Sequence, residues 1–132
     1  MTNEEAVSFI KNAVRSNHLQ YWADLGCGGG TFTKALSAVL PTGSAITAVD
    51  REKQRLEIED VNFIRANFEN DELQLEELDG ILIANALHYV SDKACLITGL
   101  NGYLPPSLFL SSSNMILTGR TDGYLIPSRL KN

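Results

Sequence analysis

The chain has 132 residues, 44% of them hydrophobic and 20% charged, with a formal net charge of −5. That length and composition fit one soluble globular domain with a real core, and the acidic balance argues against a nucleic-acid partner, which favours a basic face. No apolar run approaches the roughly 18 residues of a membrane span, and the acidic start "MTNEEAVSFI" does not read as a secretory leader.

Taken in chain order, Thr2 to His18 places Ala6, Phe9, Ile10, Ala13 and Val14 at helical spacing, with Thr2 and Glu5 as a capping box. "YWADL" (Tyr21 to Leu25) reads as a strand, with Tyr21 and Trp22 in the core. The stretch "DLGCGGGTFT" (Asp24 to Thr33) then concentrates glycines at a strand-to-helix junction. Thr31 to Leu40 reads as a helix burying Phe32, Leu36, Val39 and Leu40, stopped by Pro41 and Gly43. "SAITAVD" is a second strand ending at Asp50, and Arg51 to Glu59 a charged helix. "VNFIRA" is a third strand, "ENDELQLEEL" an acidic solvated loop, and "DGILIAN" a fourth strand apolar enough to be covered on both faces. Asp92 to Leu104 reads as a helix. This alternation predicts a parallel sheet with helices on both faces, in one domain over 1–132. Within it, 1–19 holds the N-terminal helix and 107–132 is an atypical tail.

A strand, a glycine loop and a helix put the helix N-terminus beside the strand's carboxyl end, where open α/β sheets bind ligands. Gly26, Gly28 and Gly30 leave no Cβ to block a close approach. The spacing is not G-x-G-x-x-G, because the sixth position from Gly26 is Thr31, and no Gly-Lys-Ser/Thr follows as in a P-loop. Asp24, two residues before the first glycine, suits a cationic group better than a pyrophosphate. Asp50 can accept from both hydroxyls of a ribose, or can cap the segment that begins at Arg51. Together these residues ask for a nucleoside with free ribose hydroxyls and a nearby ammonium or sulfonium. S-adenosylmethionine meets those demands.

On these residues the chain resembles the class I S-adenosylmethionine-dependent methyltransferases. "DLGCGGGTFT" is similar to their first motif, and Asp50 after "ITAV" to their ribose-binding acid. "FIRANFEN" resembles the segment after the third strand, where an Asp usually meets the adenine amino group; this chain has Asn67 there. "LDGILIANALHYV" resembles the fourth strand and turn of members that act on small molecules. The likeness covers roughly residues 20 to 106. It implies a Rossmann-like three-layer α/β/α sandwich, strand order 3-2-1-4, with a fifth strand at Leu108 to Ser111 and without the usual strands six and seven. It implies cofactor contacts from Asp24, Gly26, Cys27, Gly28, Gly30, Asp50, Arg51, Asn67, Phe68 and Asn85. Asn85 falls beside the methyl position. Ala86-Leu87-His88 follows it, in place of the Pro-Pro-aromatic sequence of members that methylate nucleic-acid amino groups.

The expected function is methyl transfer from S-adenosylmethionine to a small-molecule acceptor. The alternatives are a non-catalytic cofactor-binding remnant and, more distantly, a nicotinamide-dependent oxidoreductase. No catalytic residue is assigned. Cys27 reads as a small loop residue, since no base neighbours it, and His88 as a turn histidine. Arg51 fits a solvated position as well as a ligand contact, and Phe68 fits the core as well as an adenine stack. His18 and His88 lack partners at metal-binding spacing. Cys27 and Cys95 lie far apart, which fits a reducing cytoplasm.

The tail "SLFLSSSNMILTGRTDGYLIPSRLKN" departs from the family's continuation, which follows "YLPP" with glycines, an apolar strand and an acid. A frameshift near Pro106 accounts for it. Regrouping degenerate codons from each third base lets Leu110 and the three serines supply three codons of form NTC. Glu-Tyr-Asp-Thr-Asp-Arg and, further on, Arg-Trp-Val-Pro-Tyr-Pro can follow. The expectation is a truncated domain, loosely packed after about residue 112, marginally stable, prone to self-association and weakly active or inactive.

Overall fold

The structure, a computed structural model, describes residues 3–11, 14, 18–84, 93–103 and 115–118. Five strands form one parallel sheet: β1 (Tyr21–Leu25), β2 (Ala45–Asp50), β3 (Val61–Arg65), β4 (Gly80–Ala84) and β5 (Met115–Thr118). Their spatial order is β3-β2-β1-β4-β5. The helices are α1 (Asn3–Lys11), α2 (Thr31–Val39) and α3 (Lys93–Leu100), the last continued by a 3-10 turn, Asn101–Tyr103. This is the Rossmann-like arrangement expected, with β1 in the middle.

Side chains alternate across a strand, so each strand feeds two cores. Trp22, Ile46 and Leu82 point to one face and pack with Ala6 and Ile10 of α1 and with Phe32, Ala35 and Leu36 of α2. Ala23, Leu25, Val49, Ile81 and Ile83 point to the other, under Leu96 and Leu100 of α3 and Leu73 and Leu78 of the preceding loop. Both faces are covered, which is why β4 carries an unbroken apolar run. The Trp22 indole lies over Gly80, its partner on β4. A Cβ on Gly80 would come within 2.4 Å of the indole ring. The indole Nε1 donates to Gln20 Oε1 at 2.9 Å, which fixes the ring.

One expectation changes. Arg51–Glu59 is not a helix. It runs as an irregular strap in which Gln54, Leu56 and Ile58 are half-buried and the residues between them are exposed. Its apolar residues recur every second position, which is the period of an extended chain and leaves no apolar helical stripe. The fifth strand lies at Met115–Thr118, pairing in register Ile81↔Met115 to Ala84↔Thr118; Leu108 to Ser111 lies outside the described residues. A four-residue strand thus lies past residue 112. Among the described residues no strand follows β5. The Thr2 cap also lies outside them; Val14 N donates to Ile10 O at 3.0 Å.

The 66–79 connection is a loop, as its acidic composition suggested. Tyr103 holds it to α3: its hydroxyl donates to Leu73 O at 2.7 Å and accepts from Leu73 N at 3.2 Å. Tyr21 N donates to Asp79 Oδ2 at 2.9 Å, which sets the start of β1 against the approach to β4.

Candidate functional site

The glycine loop, Gly26 to Gly30, joins β1 to α2 at the carboxyl edge of the sheet. Gly26 N and Cys27 N both donate to Val49 O, at 2.7 and 3.0 Å, pinning the loop to β2. Gly30 is the N-cap of α2, with φ 95° and no side-chain cap, and Lys34 N donates to its carbonyl at 2.8 Å. Two of these glycines are required for different reasons. At Gly30 a Cβ would meet Leu56 Cδ2 at 2.8 Å, so the protein's own strap occupies that side. At Gly28, φ is +54° and nothing lies within 4 Å of where a Cβ would stand. The backbone there is left-handed and faces open space, which suits a ligand pressed against the main chain.

Asp50, at the end of β2, reaches across to this loop. Its Oδ2 accepts from Gly28 N and its Oδ1 from Glu52 N, both at 2.8 Å. It therefore caps a turn at the head of the strap, not a helix. A carboxylate oxygen has about two lone-pair sites, so each still has room for a further donor.

Asp24 sits on β1 opposite Ala48 of β2. It is 1% exposed. Strand alternation turns it toward α2, where Thr33 Oγ1 donates to its Oδ2 at 2.5 Å. Its Oδ1 is buried and has no hydrogen-bond partner. Burial pushes the Asp24 pKa up from 3.8 to about 7; the Thr33 hydrogen bond opposes the rise and the charge of Asp50 adds to it. An unsatisfied buried acceptor is rare and costly. Here it lies beneath the one loop with an open left-handed glycine.

Cys27 is buried, and its thiol is pushed up to about 12, first by burial and then by Asp24 and Asp50. It stays protonated and serves as a small loop residue. Arg51 is exposed, and its carbonyl accepts from Arg65 Nε at 3.2 Å. Asn67 follows β3 beside Asp50 and is engaged in its own turn. Its Oδ1 accepts from Glu69 N at 3.0 Å, and its N donates to Asp71 Oδ2 at 2.8 Å. Phe68 is half-buried against the α3-side core. With Leu73, Leu96, Leu100 and Tyr103 it lines a cavity of about 350 Å³. Asn85 and His88 lie outside the described residues. Among those described, no cluster of His, Cys, Asp and Glu could hold a metal, and no helix is long and apolar enough to cross a membrane.

Residues 23–106 match the family model of a methyltransferase domain. The chain belongs to that family. No curated protein sequence matches it. The methyltransferase domain is similar in fold to the Bacillus subtilis protein YcgJ, with 17% identity, a TM-score of 0.67 and coverage of 88% of this chain and 50% of that one. It is similar also to the plantazolicin methyltransferase BpumL, solved with a monoazolic desmethylPZN analogue and S-adenosylhomocysteine: 19% identity, TM-score 0.62, 87% of this chain and 45% of the other. A third is coclaurine N-methyltransferase, solved with N-methylheliamine and S-adenosylhomocysteine: 17% identity, TM-score 0.64, 88% of this chain and 34% of the other. The domain thus spans about half the length, or less, of these structures.

The fold brings Asp24, Gly26, Cys27, Gly28, Gly30 and Asp50 of the methyltransferase domain together at one edge, with Arg51 and Asn67 adjoining. Phe68 turns to the α3 side. Two residues at the site had no place in the sequence reading. Leu56 covers Gly30, and its i, i+2 relation to Ile58 was the available signal. Thr33 holds Asp24, and its signal was a hydroxyl at the third helical position behind a glycine loop led by an acid.

Proposed function

We propose that this chain binds S-adenosylmethionine at the glycine loop and supports methyl transfer to a small-molecule acceptor. The observation that carries the reading is Asp24: a buried carboxylate with a free Oδ1, directly before the loop. A dinucleotide's pyrophosphate would be repelled there, whereas an ammonium or sulfonium supplies the missing charge. When bound, the cofactor supplies a methyl made electrophilic by its positive sulfur.

The chain's own residues bind and orient. Gly28 lets the ligand reach the backbone. Asp50 holds Gly28 N while its remaining lone pairs are available to ribose hydroxyls. Asn67 and Arg51 border the same edge, where an adenine would extend. Methyl transfer mainly needs the acceptor aligned within near-attack distance, so binding geometry outweighs acid–base chemistry in this half of the reaction.

Calorimetric titration with S-adenosylhomocysteine and with NAD, followed by turnover with labelled S-adenosylmethionine and a panel of small amines, hydroxyls and thiols, tests the reading. Binding of S-adenosylhomocysteine with transfer to any acceptor supports it. Binding without transfer to any acceptor reduces the chain to a cofactor-binding module. Binding of NAD alone overturns it.

A further inference from the structure

We infer that Thr33 is a positioning residue for the cofactor: its hydroxyl fixes one oxygen of Asp24 and leaves the other aligned for the cationic amino-acid end of the ligand. This rests on the S-adenosylmethionine reading above. Thr33 is 0% exposed and stands on α2, one turn past the Gly30 cap. Nothing at its position calls for a polar atom except Asp24. A buried β-branched residue there could as well be Val, which has the same shape without the donor.

The hydroxyl does two things. It anchors Oδ2, so that the carboxylate cannot turn to satisfy Oδ1 within the protein. It also favours the charged form of a carboxyl that burial and Asp50 disfavour. The titratable groups coupled to Asp24 are Asp50, at the end of the neighbouring strand, and Cys27, in the loop above. Both oppose its ionisation or are opposed by it. Among the described residues, Thr33 is the neighbour whose hydrogen bond supports the negative charge. A cation arriving at the loop completes that support, and Asp24 releases its proton.

The test compares Thr33→Val and Thr33→Ser with the parent chain, using two probes. S-adenosylhomocysteine carries the α-ammonium. 5′-Deoxy-5′-methylthioadenosine keeps the adenosine and sulfur but lacks the amino-acid group. The Val variant should bind S-adenosylhomocysteine about tenfold more weakly, the scale of a lost hydrogen bond to a charged group. It should bind methylthioadenosine as the parent does, and the Ser variant should match the parent on both. Equal loss of both probes would mark Thr33 as merely structural and overturn the inference, as would parent-like binding by the Val variant. A second measurement needs no variant. Titration of the parent near pH 7 in buffers of different ionisation heat should show proton release with S-adenosylhomocysteine and none with methylthioadenosine; equal proton exchange with both overturns the inference. A parent chain that binds neither probe sinks the cofactor reading itself, and this inference with it.

Discussion

Asp50 Oδ2 accepts a hydrogen bond from Gly28 N at 2.8 Å, across 22 residues of sequence. The acid that closes the second strand thus shapes the loop that follows the first. Replacing Asp50 by Ala removes that contact and the Glu52 cap together. Affinity for S-adenosylhomocysteine should fall by about 1.5–3 kcal/mol, the scale for hydrogen bonds to a charged group. Calorimetry measures the loss. Amide exchange at Gly28 should quicken in the unliganded variant, and unchanged exchange would show that the loop holds itself.

Gly28→Val tests the open side of the loop. The unliganded protein has room for a Cβ there, so the main penalty is a β-branched residue at positive φ. The variant should fold by circular dichroism and fail to bind S-adenosylhomocysteine. Parent-like affinity would place the ligand elsewhere.

Asp24 makes stability depend on pH. Its folded value, about 7, lies above its ordinary 3.8. The folded chain therefore keeps a proton that the unfolded chain gives up between those values. The resulting stabilisation is full below pH 4 and is lost as pH rises through 7, with an amplitude on the order of 4 kcal/mol. Thermal melts from pH 5 to pH 8 should show a falling midpoint. Asp24→Asn should flatten that slope and be the more stable protein at pH 8, while binding S-adenosylhomocysteine less well. A parallel slope in the variant would assign the effect to other groups.

Gly80→Ala tests the packing beneath the site. The new methyl would stand 2.4 Å from an indole held by Gln20, so the strand or the ring must move. Overpacking of this kind costs about 1–3 kcal/mol. Urea unfolding should show a lower midpoint with an unchanged slope.

The β1 strand and the glycine loop could be read directly, because "YWADL" meets four glycines with no intervening polar run. Asp50 was equally plain from its place after "ITAV". The strap was not: Arg51, Glu52, Lys53, Gln54 and Arg55 favour a helix locally, and the packing of Leu56 on Gly30 overrides that preference. The fifth strand escaped for a related reason. Met115 to Leu117 is a short apolar piece, and its pairing with β4 is a long-range contact that spacing along the chain does not show. The roles of Thr33 and of Asp50's two oxygens depend on side-chain direction across elements, which spacing along one chain does not encode. If the tail does arise from a shifted reading frame, sequencing the gene should show an open alternate frame after Pro106 that encodes an apolar strand ending in an acid; an early stop there would dismiss it.

β1 is the first strand of the sheet in chain order, yet it stands in the middle of the sheet. β1 pairs early with β2, but its other neighbour, β4, is made more than fifty residues later, when Leu82 comes to lie beside Asp24. Until then one edge of β1 is bare, and the cover that Leu82 gives beside Asp24 is missing. The burial that raises the Asp24 pKa is thus bound up with a long-range pairing, a slow step in parallel sheets.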